Sequence, residues 1–458
     1  MSKTPITSIA LIIVCAGYLI APLGMAALNV AIPALALDLH ANAMKVGWLP
    51  TLYILSNVAF ILPFGKLADN YGRKRVFVAG LVLNALAAGM CAIATNIDWI
   101  LFWRFIQGAA GAMIFGTGIA IITSVTPSHK RGAALGTVAA CVYIGLTLAP
   151  AVGGWLTQWL GWRSVFYFQI PLIAVLLVVI KLKLRGEWKN EQHSSFDWWG
   201  SGIFIIFAFT LVYGLSRLPS LLGIALLSAS LLSLVAFVYH QSQIKHPLIR
   251  VQMFRESRVF SLSLSTSFLM YGSNFAIIFL LSLYLQYVRG FSPAEAGQIL
   301  LLQALCMAIV APIAGKLADR FQPRIVATLG CAIVTVGFVF LKQIDLHTSA
   351  SYIGGSLALI GLGFGLFSTP NNSAIMGAVK EQEVGVASAS MNLSRTIGNL
   401  VGMSIVNLMI HHFIGDATFT PEQNPALMNT VSLALTMSLS FVVVACVLSA
   451  VRGRQHTA

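Results

Sequence analysis

The 458 residues are 58% hydrophobic and only 9% charged, which excludes a soluble globular domain, where about a quarter of residues carry charge, and describes an integral membrane protein. The formal net charge of +14 does not mark a nucleic-acid binder, because the basic residues sit as short clusters between apolar runs. The six cysteines, Cys15, Cys91, Cys141, Cys306, Cys331 and Cys446, all lie inside those runs without CxxC or metal-ligand spacing, so they read as small core residues, and no metal or cofactor is expected.

Fourteen apolar runs, each of about 18–25 residues, are long enough to cross a bilayer as helices. They fall at about 9–33, 46–64, 76–95, 99–123, 134–157, 163–183, 198–215, 220–239, 259–286, 296–314, 324–342, 350–370, 385–410 and 429–451. The first is too long for a signal-peptide core and is followed at once by more spans, so it is expected to be retained. After the second run comes a charged hinge, Gly65-Lys66-Leu67-Ala68-Asp69-Asn70-Tyr71-Gly72-Arg73-Lys74-Arg75, which returns in worn form 250 residues later as Gly315-Lys316-Leu317-Ala318-Asp319-Arg320-Phe321-Gln322-Pro323-Arg324. Such a displaced copy points to parallel internal repeats, a common way of building transporters. In the second copy the glycine is read as replaced by Pro323, which weakens that hinge.

The polar interval Lys183 to Asp197 closes a first group of six spans, and spans seven and eight then form an inserted hairpin before six more. The expected architecture is all-α: an N-terminal six-helix bundle over 1–190, an inserted hairpin over 191–245 and a C-terminal six-helix bundle over 246–458. With Met1 inside, 21 of the 28 Lys and Arg residues lie in cytoplasmic segments and five, Lys45, Arg163, Arg217, Arg289 and Lys342, lie outside, so both termini are expected in the cytoplasm. The other two, Arg104 and Arg395, fall inside spans, where a guanidinium costs about 2.5–3.5 kcal/mol on insertion scales. They need partners, water or a substrate; the structural alternative is that Arg104 snorkels to the outer end of span four and Arg395 is satisfied by neighbouring carbonyls. Uncharged polar positions such as Asn29, Gln107, Tyr271, Asn274, Gln303, Asn371, Asn392 and Asn399 can line a cavity or bond between helices. His411 and His412, at the end of span thirteen, read as a solvated pair.

Several of these stretches together resemble the major facilitator superfamily, in its fourteen-span drug/proton antiporter branch of multidrug-efflux type. Besides the hinge they are Leu28-Asn29-Val30-Ala31-Ile32-Pro33, Arg104-Phe105-Ile106-Gln107-Gly108, the run Gly145 to Gly154, Trp162-Arg163, Gln169-Ile170-Pro171, Ala387-Ser388 and Arg395-Thr396-Ile397-Gly398. The resemblance implies a major facilitator fold with a conformational latch at Gly65, Asp69, Gly72 and Arg73, broken and remade as the bundles rock. A topogenic loop would explain Arg73, Lys74 and Arg75 but not Gly65 or Asp69. It also implies an antiporter-type bend at Gly145, Pro150, Gly153 and Gly154 in span five, while the in-span polar positions Asn29, Arg104, Gln107, Tyr271, Asn274, Asn392 and Arg395 are the cavity or substrate candidates by their own chemistry. Ala149 stands where the family usually has a glycine.

One departure matters more: Gly24 stands where this branch usually carries an aspartate in span one, and all fourteen acidic residues fall in loops or at span ends. A proton-coupled carrier needs a titrating group in its spans. The leading expectation is therefore an inner-membrane secondary transporter, not an enzyme, that exports small amphipathic compounds by alternating access. Proton coupling is expected to be weak or carried by the substrate. The alternatives are an exporter of an anionic metabolite, siderophore-like molecule or sugar derivative and, in a different class, a non-transporting membrane sensor. Expected partners are a small-molecule substrate, the lipid bilayer and a counter-transported proton or substrate, with the monomer as the unit and no nucleic acid.

Overall fold

The computed structural model describes residues 6–184, 186–188, 196–244, 247–380 and 384–453, and all regular structure among them is helical. Among the described residues, fourteen helices are long and apolar enough to cross a membrane. Spans one to six are Ser8–Asp38, Ala43–Tyr71, Arg73–Ala92, Ile97–Val125, Ala140–Leu160 and Ser164–Lys183; spans seven and eight are Trp198–Ser216 and Leu221–Gln243. Spans nine to fourteen are Arg258–Val288, Pro293–Ala318, Pro323–Leu341, Ala350–Gly377, Val386–Phe413 and Asn424–Val451. The protein is a multi-pass membrane protein.

Local chemistry sets where the spans begin. Asn96, Asp197, Ser220, Ser257 and Ser349 each accept a first-turn amide N–H at the start of spans four, seven, eight, nine and twelve, satisfying donors a helix cannot satisfy itself. Span ten starts on a full capping box: Ser292 Oγ accepts from the Glu295 N–H, Glu295 accepts from the Ser292 N–H, and Pro293 follows the cap. Span six is broken at Phe168, where two short helical segments meet.

The chain divides into two compact units. The first comprises Met1–Ala26, Leu49–Leu146 and Leu160–Arg250, and the second comprises Ala27–Trp48, Thr147–Trp159 and Val251–Ala458. The boundaries expected at 190/191 and 245/246 fall on residues outside the described set. Hydrogen bonds account for the second unit's inclusion of the later parts of spans one and five and the start of span two. Ser282 Oγ donates to Asn29 O at 2.8 Å, Gln286 Nε2 to Val30 O at 3.0 Å, Thr147 Oγ1 to Ala304 O at 3.2 Å and the Ala43 N–H to Ala417 O at 2.9 Å.

In the hairpin of the first unit, Phe204 packs on Phe237 and Ser230 Oγ donates to Phe207 O. Its base is gathered on Asp197, which accepts from Gln241 Nε2 at 2.7 Å, the Gly200 N–H at 2.8 Å and His240 Nε2 at 2.9 Å. Burial pushes this carboxyl's pKa up, but those hydrogen bonds outweigh it and hold it below its ordinary 3.8.

Pairing the two hinge copies residue by residue corrects one expectation: Pro323 stands at the place of Arg73, and Gln322 stands at that of Gly72. Gly72 has φ 118, in the region that favours glycine, whereas Gln322 has φ −57. The second hinge therefore turns without a left-handed residue, and Pro323 opens span eleven where its missing N–H is harmless.

Candidate functional site

The hinge after span two is heavily cross-linked by polar contacts. Asp69 Oδ1 accepts from both Nε (2.9 Å) and Nη2 (2.7 Å) of Arg73, whose Nη1 donates to Ala120 O at 3.0 Å and to Ser124 Oγ in span four. Arg73 thus ties the end of span two to the end of span four through a planar fork that lysine could not supply. From the stretch after span six, Glu187 Oε1 accepts the Lys74 N–H at 2.8 Å, Leu184 O accepts Lys74 Nζ, and Trp188 O accepts the Arg73 N–H at 2.9 Å. A carboxylate on the first amides of span three also meets the positive end of the helix dipole. Gly72 is fixed twice over, by its φ and because an added Cβ would lie 2.6 Å from Glu187 Cδ. Gly65 faces Gly116 with ordinary contact distances, so two helices approach without side chains between them.

Arg104 does not snorkel. It is 0% exposed, with its guanidinium 4.5 Å above the Tyr53 ring, Nη1 donating to Gln107 Oε1 at 2.7 Å and Nε to Leu49 O at 3.4 Å. Nη2 has no hydrogen-bond partner among the described residues. The polar chain continues from Gln107 Nε2 to Gln169 Oε1 at 3.4 Å and from Gln169 Nε2 to Val165 O at 3.0 Å. It ends against Gly24, where an added Cβ would lie 2.3 Å from both Cδ and Oε1 of Gln169. A neutral amide from span six therefore fills the room that a side chain at position 24 would need. Every described Asp or Glu lies in a loop or within three residues of a span end.

In the second unit Arg395 lies 4.8 Å from the Tyr271 ring centre and donates to Asn372 Oδ1. Asn274, one turn beyond Tyr271, accepts from Gln303 Nε2. Tyr271, Asn274, Asn372, Asn392 and Arg395 are all half-buried, whereas Asn29 is 2% exposed and both its side-chain polar atoms lack a partner among the described residues. His411 and His412 are exposed at the end of span thirteen. The structure thus groups Arg104 with Gln107, and Arg395 with Tyr271; Asn29 and Asn392 belong to neither group.

The span-five glycines make backbone-to-backbone contacts. A Cβ on Gly145 would lie 2.6 Å from Leu19 O in the first unit; in the second, one on Gly153 would lie 2.3 Å from Ala27 O and one on Gly154 2.4 Å from Pro293 O. Gly297 of span ten answers Gly154, since its added Cβ would meet Pro150 O at 2.3 Å. Close packing of this kind is how helices associate where no hydrophobic force drives them.

Sequence reasoning missed Tyr53, Glu187 and Asn372, and quoted Gln169 only within a family pattern. Gln169 had a detectable signal, a polar side chain opening an apolar run, but nothing in the sequence places it beside Gly24.

The family model for the Major Facilitator Superfamily matches residues 14–403. The riboflavin transporter RibZ of Clostridioides difficile is 29% identical over 86% of this chain and 86% of its own length. The multidrug resistance protein Stp of Mycobacterium tuberculosis (strain H37Rv) is 29% identical over 86% and 74%, and the multidrug transporter protein MdtP of Bacillus subtilis 27% over 83% and 71%. The crystal structure of a bacterial homologue of the human lysosomal transporter Spinster superposes with a TM-score of 0.72 at 17% identity over 100% of both chains, a likeness of fold. With fourteen spans, a repeated hinge and a family match across most of its length, this chain belongs to the Major Facilitator Superfamily and is a secondary transporter rather than an enzyme.

Proposed function

We propose that this transporter exports small amphipathic compounds across the inner membrane by alternating access, with both termini in the cytoplasm. The observation that carries the reading is the complete Asp69–Arg73 latch, supported by span five's bare-backbone packing and by relatives named for multidrug resistance. The side-chain-free packing of span five, with Pro150 inside the helix, supports antiport, with a substrate or ion as the exchanged species. A second reading, export of an acidic or acceptor-rich compound, is favoured by Arg104: a buried guanidinium with one unpartnered nitrogen attracts anions strongly in low dielectric.

Counterflow in proteoliposomes with cationic, neutral and anionic compounds, riboflavin among them, tests both. Exchange of amphipathic compounds is expected. Arg104→Gln and Arg395→Gln should weaken acidic compounds selectively, and equal losses across the panel would return both arginines to a structural role. No exchange of any compound would overturn the transport reading of substrate class. Topology is checked separately: a reporter active only outside the cytoplasm should work after Arg217 and be silent at the C-terminus, and the opposite pattern would reverse the orientation.

A further inference from the structure

The second bundle lacks the side chain that makes the first latch. In the first, Arg73 reaches from the hinge to Ala120 O and Ser124 Oγ near the end of span four. At the matching place 250 residues on stands Pro323, which has no donor at all. Another arginine does arrive there. Arg452, directly after span fourteen, turns inward and is 1% exposed. Its Nη1 donates to Asn371 Oδ1 at 2.5 Å and to Ser263 Oγ at 3.1 Å. Asn371 in turn donates to Ser267 Oγ at 2.9 Å and Ser263 O at 3.1 Å. Asn371 lies in span twelve, one residue beyond the repeat counterpart of Ala120, so the guanidinium docks at the same depth of the same helix of its bundle. Beside it, Ser449 Oγ and Thr328 Oγ1 share a 2.8 Å hydrogen bond that fastens span fourteen to span eleven.

A buried guanidinium is a poor way to gain stability, since well-packed apolar residues of like volume commonly do as well or better. What it supplies is a fixed geometry among the elements it bonds. We propose that Arg452 is the displaced latch arginine of the second bundle, delivered from the end of span fourteen because Pro323 occupies the hinge position, and that it positions the ends of spans nine and twelve through Ser263 and Asn371. It touches no substrate in this role. The inference rests on the transport reading only for its purpose; the geometry can be tested without any substrate.

The experiment is hydrogen–deuterium exchange by mass spectrometry on the full chain in lipid nanodiscs, with thermal melting measured alongside. Arg452→Gln should accelerate exchange several-fold in peptides from the start of span nine and the end of span twelve, as Arg73→Gln should at the ends of spans two and four. Arg452→Lys should keep most of the protection. The deciding variant adds Pro323→Arg to Arg452→Gln: a guanidinium resupplied from the hinge should restore protection at Ser263 and Asn371, which recovery of general packing would not do. Unchanged exchange in Arg452→Gln, or accelerated exchange that Pro323→Arg leaves untouched, would overturn the proposal. Failure of Arg73→Gln to slow counterflow would instead sink the latch reading of transport and leave the Arg452 geometry standing.

Discussion

Transport by Asp69→Asn is expected to fall to the background of empty vesicles while the protein still inserts and accumulates normally. Asp69 and Arg73 are partly exposed, with side chains 29% and 21% accessible, and such a pair adds only about 0–1 kcal/mol to folding stability. The loss should therefore be kinetic. One carboxylate oxygen takes two hydrogen bonds from Arg73 in which donor and acceptor are both charged, and an amide oxygen in the same place keeps the charge of the donor but loses that of the acceptor. Without that hold, the guanidinium is no longer aimed at Ala120 O, and spans two and four lose their bridge. Gly65→Leu should act alike by forcing a side chain between Gly65 and Gly116, whereas Gly65→Ala should be tolerated, since its Cβ would sit 3.8 Å from Gly116 O. Initial rates normalised to protein abundance decide the matter: normal normalised rates in Asp69→Asn and Gly65→Leu would remove the latch from the cycle.

The second large effect concerns Gly24. Gly24→Asp alone is expected to damage the protein, because the new side chain would overlap Gln169, and overpacking a filled interior costs about 1–3 kcal/mol. Gln169 could yield only by giving up its bonds with Gln107 and Val165 O. Adding Gln169→Ala opens the room, and the carboxylate would then stand where Gln169 Oε1 now accepts from Gln107. That double variant should recover abundance and acquire accumulation of a neutral, non-titrating substrate driven by a pH gradient, together with a preference for cationic compounds. The wild type should show exchange or downhill flux with little response to the gradient. Strong gradient-driven accumulation in the wild type would reveal a proton site elsewhere, and no coupling between the two substitutions would separate Gly24 from Gln169.

The spans were legible because bilayer thickness fixes helix length and the lack of water fixes helix as the structure; hydropathy alone located all fourteen. The repeat was legible from one copied phrase, Gly-Lys-Leu-Ala-Asp. Pairings across distant sequence were not, because hydropathy does not encode which face of a helix meets which neighbour. Arg104 was visible as a cost, but its stacking on Tyr53 depends on the register of spans two and four. Arg452 looked like one more cytoplasmic positive charge, since it follows the last apolar residue, and only its inward rotamer distinguishes it. The later parts of spans one and five join the second unit through carbonyls such as Asn29 O and glycines such as Gly154, groups that every sequence possesses and that hydropathy leaves unmarked.

The bond between the Lys74 amide and Glu187 spans 113 positions of chain, and that separation orders events during synthesis. While the ribosome is making spans three to six, the start of span three has no carboxylate at its amides, and the glycine turn at position 72 has nothing packed over it. Only when the polypeptide past span six has emerged can Leu184, Glu187 and Trp188 close over it. The clasp therefore closes last in the first half: a chain of only five spans would already hold Asp69, Arg73 and Ser124, yet lack the Glu187 and Trp188 partners of the Lys74 and Arg73 amides.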